Sequence, residues 1–173
     1  EEIQNLAFEA ATSWIEFASL RNVAQVLLYL NCPLLSFASR RLTSSSAKLL
    51  TCMLNMYTEK CNGLARVCRK APQNKKVSFD IGDFQTLDRR IEELGRPIMS
   101  ATMTGSRTDE FMFSAVEVLV SLSKAGLSRV AFSQQAPLQR SFTVHTLVPC
   151  ILKYTSSLSD FDTIRDVILP FWA

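Results

Sequence analysis

Apolar residues recur along this chain at intervals of three and four, the period of an α-helix with one buried face. At the start, Ile3, Leu6, Ala10, Trp14 and Phe17 share one face, while Glu2, Asn5, Glu9 and Glu16 lie on another. A second helix is expected over Asn22 to Leu30. It should end at Asn31-Cys32-Pro33, because proline lacks an amide hydrogen and restricts the residue before it. Pro33 suits the first turn of a third, short helix through Leu34, Phe37, Ala38 and Arg41. Ser44, Ser45 and Ser46 are N-cap candidates for a fourth, carrying Leu50, Leu54 and Tyr57, with a bend or break near Asn62-Gly63 before Leu64 to Arg69.

Residues 71 to 82 read as a loop, with Pro72, Asn74, two lysines and little periodicity; the alternation at Val77-Ser78-Phe79 is too short for a sheet. Asp83 caps the next helix, in which Phe84, Leu87, Ile91, Leu94 and Ile98 form a narrow seam. Gly95-Arg96-Pro97 is expected to end or kink it. Thr104 to Arg107 is a second loop, and Asp109 and Glu110 suit the positive end of the helix that follows. That helix, Asp109 to Lys124, is apolar over most of its circumference, with a polar strip of Ser114, Glu117, Ser121 and Lys124. Such a helix belongs at the centre of a domain. Ala125-Gly126 should end it, with a short helix around Leu127 to Phe132. Two more helices are expected near Phe142 to Tyr154 and Asp160 to Leu169, with Pro149 and Pro170 kinking or ending them.

About eight to ten helices with short connections predict one all-α domain. Two arrangements fit: a compact multi-helix bundle around Asp109–Lys124, or an irregular stack of antiparallel helix pairs. Pair lengths near 40 residues and prolines early in helices resemble the HEAT and armadillo architectures, although no residue pattern repeats at a fixed period. The 71–82 loop would then divide a basic N-terminal half from the C-terminal half. The first residue is Glu1 and the last two before Ala173 are aromatic, which suggests a segment of a longer protein.

Composition agrees with a packed core. Of 173 residues, 47 % are hydrophobic and 20 % charged, with 11 Phe, which excludes disorder as the main description. No uninterrupted apolar run approaches the roughly 20 residues that span a bilayer, and no segment has the organisation of a secretory signal. No membrane association is expected. Cys32, Cys52, Cys61, Cys68 and Cys150 leave one thiol over in any disulfide scheme, and no Asn-x-Ser/Thr site occurs. Reduced thiols in the cytoplasm or nucleus are the simpler expectation.

The residues that carry chemistry are sparse. His145 is the single histidine, and the cysteine spacings around Cys61 match no zinc motif. Ser45-Ser46-Ala47-Lys48 matches the S-x-x-K string of penicillin-recognising enzymes, but the companion elements are missing, so it is better read as a helix start. Phosphate-binding glycine loops and calcium loops are absent. Glu92 and Glu93 beside Arg89, Arg90 and Arg96 read as exposed helix-face pairs. No catalytic residue, metal or cofactor is expected.

Charge is the informative feature. The net charge is +3, but Arg40, Arg41, Lys48, Lys60, Arg66, Arg69, Lys70, Lys75 and Lys76 face only one acid, Glu59, between residues 40 and 76. The first twenty residues carry four glutamates and no base. A basic stretch of this size attracts an acidic protein surface or a phosphate backbone; nearby stacking aromatics are few, which argues against base recognition. A second candidate surface is apolar: Phe161, Phe171 and Trp172 at the end, with Trp14 and Phe17 at the start, either fill this domain's core or meet a partner. The expected function is a non-enzymatic scaffold or adaptor that binds another protein in an intracellular assembly. The alternative is a helical domain contacting DNA or RNA phosphates through residues 40–76.

Overall fold

A computed structural model describes residues 2–18, 20–70, 81–104, 108–130, 141–157 and 164–172. Among them the chain forms α1 (Glu2–Phe17), α2 (Val23–Leu30), α3 (Pro33–Arg40), α4 (Ser44–Lys70), α5 (Ile81–Met103), α6 (Asp109–Val130), α7 (Val148–Ser157) and α8 (Leu169–Trp172). π-helical turns at Thr143–Leu147 and Ile164–Ile168 lead into the last two. No strand occurs among the described residues, so the fold is all-α. The predicted loop at 71–82 lies outside the described residues except at its end, where residues 81 and 82 already belong to α5. Asp83 therefore lies inside that helix and does not cap it. Val77–Phe79 and most of the turn at 104–107 also lie outside the described residues.

The helices are layered. α1, α2 and α3 pack on α4; α4 packs along α6; α6 packs in turn on α5 and α7. Ala115, Val116, Val118, Leu119, Leu122 and Ala125 of α6 are buried, together with Ser121 and Ser123, as its nearly all-round apolar pattern requires. By length and mean hydropathy (1.3), Asp109–Ser128 would pass for a membrane span, although polar and charged residues interrupt its apolar runs. In this fold 61 % of that stretch is buried among the other helices.

Local chemistry sets the helix starts. Asn22 caps α2: its side chain accepts from the Gln25 amide at 2.9 Å, and Gln25 reaches back to the Arg21 amide at 2.7 Å. The cap of α4 is Thr43, one residue before the predicted serines. Thr43 Oγ1 accepts from the Ser46 amide, and Ser46 Oγ accepts from the Thr43 amide at 2.7 Å. This reciprocal pair satisfies amides that a helix start leaves unbonded.

At four places where the sequence expects a helix to end, break or kink, the helix continues. α4 runs unbroken through Asn62-Gly63, and α5 runs through Gly95-Arg96-Pro97. α6 continues past Ala125-Gly126 to Val130. The helix before Pro149 is neither broken nor ended; it widens into the π turn, where the Val148 amide bonds to the Thr143 carbonyl five residues back. Gly126 has a second role. A Cβ there would sit 2.1 Å from Thr143 Oγ1, so only glycine lets the π turn approach α6 this closely.

The expected surface ladder on α5 is half right. Arg89 pairs with Glu93 at 3.1 Å and Arg96 pairs with Glu92, all on the exposed face. Arg90 instead is buried, 8 % exposed, and closes the α2–α3 corner. Its guanidinium donates to the carbonyls of Leu30 (2.7 Å) and Cys32 (3.0 Å), to Ser36 Oγ (2.7 Å) and to Glu93 (3.2 Å). The Leu30 carbonyl is one that the end of α2 leaves unsatisfied, and the Cys32 carbonyl, at the start of α3, also accepts from the Leu35 amide at 3.1 Å.

Candidate docking surface

The first helix is turned the other way from its most obvious pattern. Phe8, Thr12 and Ile15 are buried against the rest of the protein. The stripe of Ile3, Leu6, Ala10, Trp14 and Phe17 points to solvent, with Ile3 82 %, Leu6 60 %, Trp14 52 % and Phe17 89 % exposed. The helix thus has two apolar faces, and the smaller one enters the core. Phe8 is the signal for this, since its spacing links it to Ala11, Thr12 and Ile15 on one face. Five larger or better-spaced residues outweighed it in the sequence pattern.

At roughly 200 Å² per large side chain, the four big residues expose on the order of 500 Å². That is as large as the largest apolar patch on an ordinary monomer. Trp14 extends the stripe onto α2 by packing on Tyr29, with ring centroids 5.1 Å apart. Leu28 of α2 is also exposed.

The stripe has a charged edge. Glu2, Glu9 and Glu16 are all exposed and recur every seven residues, so they form one row beside it. Glu9 accepts a hydrogen bond from Ser45 Oγ of α4 at 3.0 Å. Glu16 lines a cleft of about 620 Å³ between α1, α4 and α6, whose charged groups are Glu16, Glu59, Glu110 and Glu117 against Lys48. Burial pushes the Glu117 carboxyl above its ordinary range. Burial also raises the Cys52 thiol, helped by the Glu16 and Glu59 carboxylates and opposed by Lys48. Thr51 Oγ1, on the same wall, is buried without a hydrogen-bond partner.

The basic stretch is divided by this arrangement. Lys48 sits among the cleft glutamates. Arg41 lies over the Phe37 ring at 5.6 Å, beside Arg40 at the end of α3. Arg66 lies five turns beyond Lys48 on α4, about 27 Å along the axis, and Lys60 is half-buried between them. Arg69 and Lys70 lie in the last turn of α4, but their side chains, like Lys75 and Lys76 altogether, fall outside the described residues. At the other end, Phe171 is partly buried and packs on the core. Phe161 and the Trp172 side chain lie outside the described residues.

Candidate chemistry remains scattered. His145 is exposed on the π turn, and Cys32, Cys52, Cys61 and Cys150 are free. Among the described residues no group of three or more metal-ligating side chains converges. No family model, no curated protein and no solved structure matches this chain. What the surface does must be argued from its own geometry.

Proposed function

We propose that this chain is a non-enzymatic helical adaptor that docks a protein partner on the outer face of α1, extended by Leu28 and Tyr29 of α2. The observation that carries this reading is the exposed stripe at helical spacing. Large apolar side chains in water gain about 25 cal/mol for each Å² that a partner covers, and aligned Trp and Phe anchors are the residues that dominate such interfaces. The reading keeps the protein-partner role expected from the sequence but moves it from the basic stretch to the first helix. Free cysteines support a reducing compartment, and we place the adaptor in the cytoplasm or nucleus on that ground. The nucleic-acid alternative is weakened by the spread of the basic residues, since Lys48 lines the glutamate-rich cleft while Arg66 lies about 27 Å away along α4.

The test compares the native chain with Leu6→Asp/Phe17→Asp as bait in lysate treated with nuclease. A protein captured by the first and lost by the second is then purified and titrated against both. Both substitutions are at exposed positions, so unfolding stability should stay within about 0.5 kcal/mol of native, whereas Phe8→Ala should cost about 3–5 kcal/mol. A purified partner that binds at least tenfold more weakly to the double variant supports the adaptor. Retention of all partners by the variant, or their loss on nuclease treatment, sinks it.

A further inference from the structure

We infer that the occupant of the α1 face is an amphipathic helix bearing a row of lysine or arginine residues beside its apolar seam. This inference rests on the docking reading above and adds the chemistry of the partner. The spacing of the stripe is that of a helix-pairing seam. With Ile3 at the first core position of a heptad, Leu6, Ala10, Ser13 and Phe17 take the successive core positions, and Trp14 widens the seam on one side. In the same register Glu2, Glu9 and Glu16 occupy successive positions at the edge, where paired helices place the charges that select their partner. All three are exposed, and α1 contains no base to neutralise them.

That charge pattern argues against a second copy. In an antiparallel pair of α1 helices, Glu9 would face Glu9 of the other copy and Glu2 would face Glu16. In a parallel pair Glu2 and Glu9 would face Ala7 and Trp14, and the position opposite Glu16 is Arg21, which lies beyond the end of α1. Neither arrangement supplies a cation from within the paired helices. A helix with lysines or arginines along the matching edge supplies three, and its long side chains point toward the cleft that continues this edge inward. There Glu59, Glu110 and Glu117 outnumber the one cation, Lys48. Burial of Glu117 makes a delivered positive charge more effective, because the cleft screens it less than open solvent does.

The test is a displayed library of helical peptides with a fixed leucine–isoleucine seam and edge positions randomised among Lys, Gln and Glu. It is sorted against the full chain and against Glu2→Lys/Glu9→Lys/Glu16→Lys. Three exposed pairs, each contributing about two- to threefold, should enrich Lys over Glu at the edge by about tenfold on the native chain. The triple variant should reverse that preference, and both preferences should shrink in 1 M salt. Enrichment independent of edge charge overturns the inference while leaving an apolar docking face intact. So does a library yielding no binder when a purified natural partner still needs Leu6 and Phe17. A chain that sediments as a dimer, and as a monomer once Phe17→Asp is introduced, overturns it in favour of a second copy.

Discussion

Arg90 shows how far a single residue can depart from its sequence context. It lies between Arg89 and Glu92-Glu93, and the i, i+4 spacing places it in an exposed ladder. Residues three and four apart do meet on this helix, and all three arginines pair with a glutamate at that spacing. Arg90 pairs with Glu93 but also meets the end of α2, sixty residues earlier, where the Leu30 carbonyl has no helical partner. Hydrogen bonds from a charged donor to buried carbonyls contribute more than a surface ion pair. Arg90→Ala should therefore lower unfolding stability by about 2–4 kcal/mol, against less than about 0.5 kcal/mol for Arg89→Ala. Arg90→Lys should recover less than half of the loss, because an ammonium cannot reach both carbonyls and Ser36 from one fork. Urea unfolding of the three variants checks the order. Equal effects at positions 89 and 90 would refute the capping role.

Helix ends depend on the neighbouring element as much as on the helix itself. Gly63, Gly95, Pro97 and Gly126 are weak helix residues by propensity, yet each lies inside a helix here. The same residue type has opposite consequences at two of these sites. Around Gly63 a methyl group meets nothing within 4 Å, so Gly63→Ala should stabilise the protein by about 0.5–1 kcal/mol. At Gly126 the methyl would collide with Thr143, and overpacking of this kind costs about 1–3 kcal/mol. Thermal unfolding should rise in the first variant and fall in the second, and Thr143→Ala should restore only part of the second loss, because the Cβ of residue 143 stays 2.8 Å from the new methyl. If Gly126→Ala behaves like Gly63→Ala, the close approach of the π turn to α6 is wrong. Periodicity alone carries no information about this contact, because Thr143 and Gly126 are separated by seventeen residues and belong to different helices.

At the scale of the whole molecule, folding brings together the glutamates of three helices that the sequence keeps far apart. Glu16, Glu59, Glu110 and Glu117 meet in one cleft, and burial raises the Glu117 carboxyl. A carboxylate whose folded pKa lies above its unfolded value binds protons more readily in the native state. Its neutral form favours folding fully below the unfolded pKa, near 4.3, and that contribution is lost as pH rises through the folded value. Glu117→Gln should thus stabilise the protein at pH 7, with the advantage shrinking as pH falls toward 4. Unfolding midpoints of both chains across that range check it. A glutamine variant less stable at pH 7 would mean that the charged form is favourably paired.

Much of the architecture was legible without coordinates. The all-α class, the positions of α1 to α3, and the central role of α6 follow from apolar period, proline placement and composition, which act through local sterics and burial. The absence of recognisable catalytic strings was equally plain, as was the shortage of bases in the first helix. Tertiary structure alone decided which face of α1 enters the core. Periodicity reports that a face is apolar but not what lies opposite it, and α1 carries two such faces. The smaller one, with Phe8 and Ile15, fits against α4, leaving Ile3, Leu6, Trp14 and Phe17 in solvent. Likewise, a count of charges along the chain makes residues 40–76 basic, whereas folding places Lys48 in one cleft with glutamates from α1, α4 and α6. Coulomb interactions depend on distance in space, and that distance is set by packing.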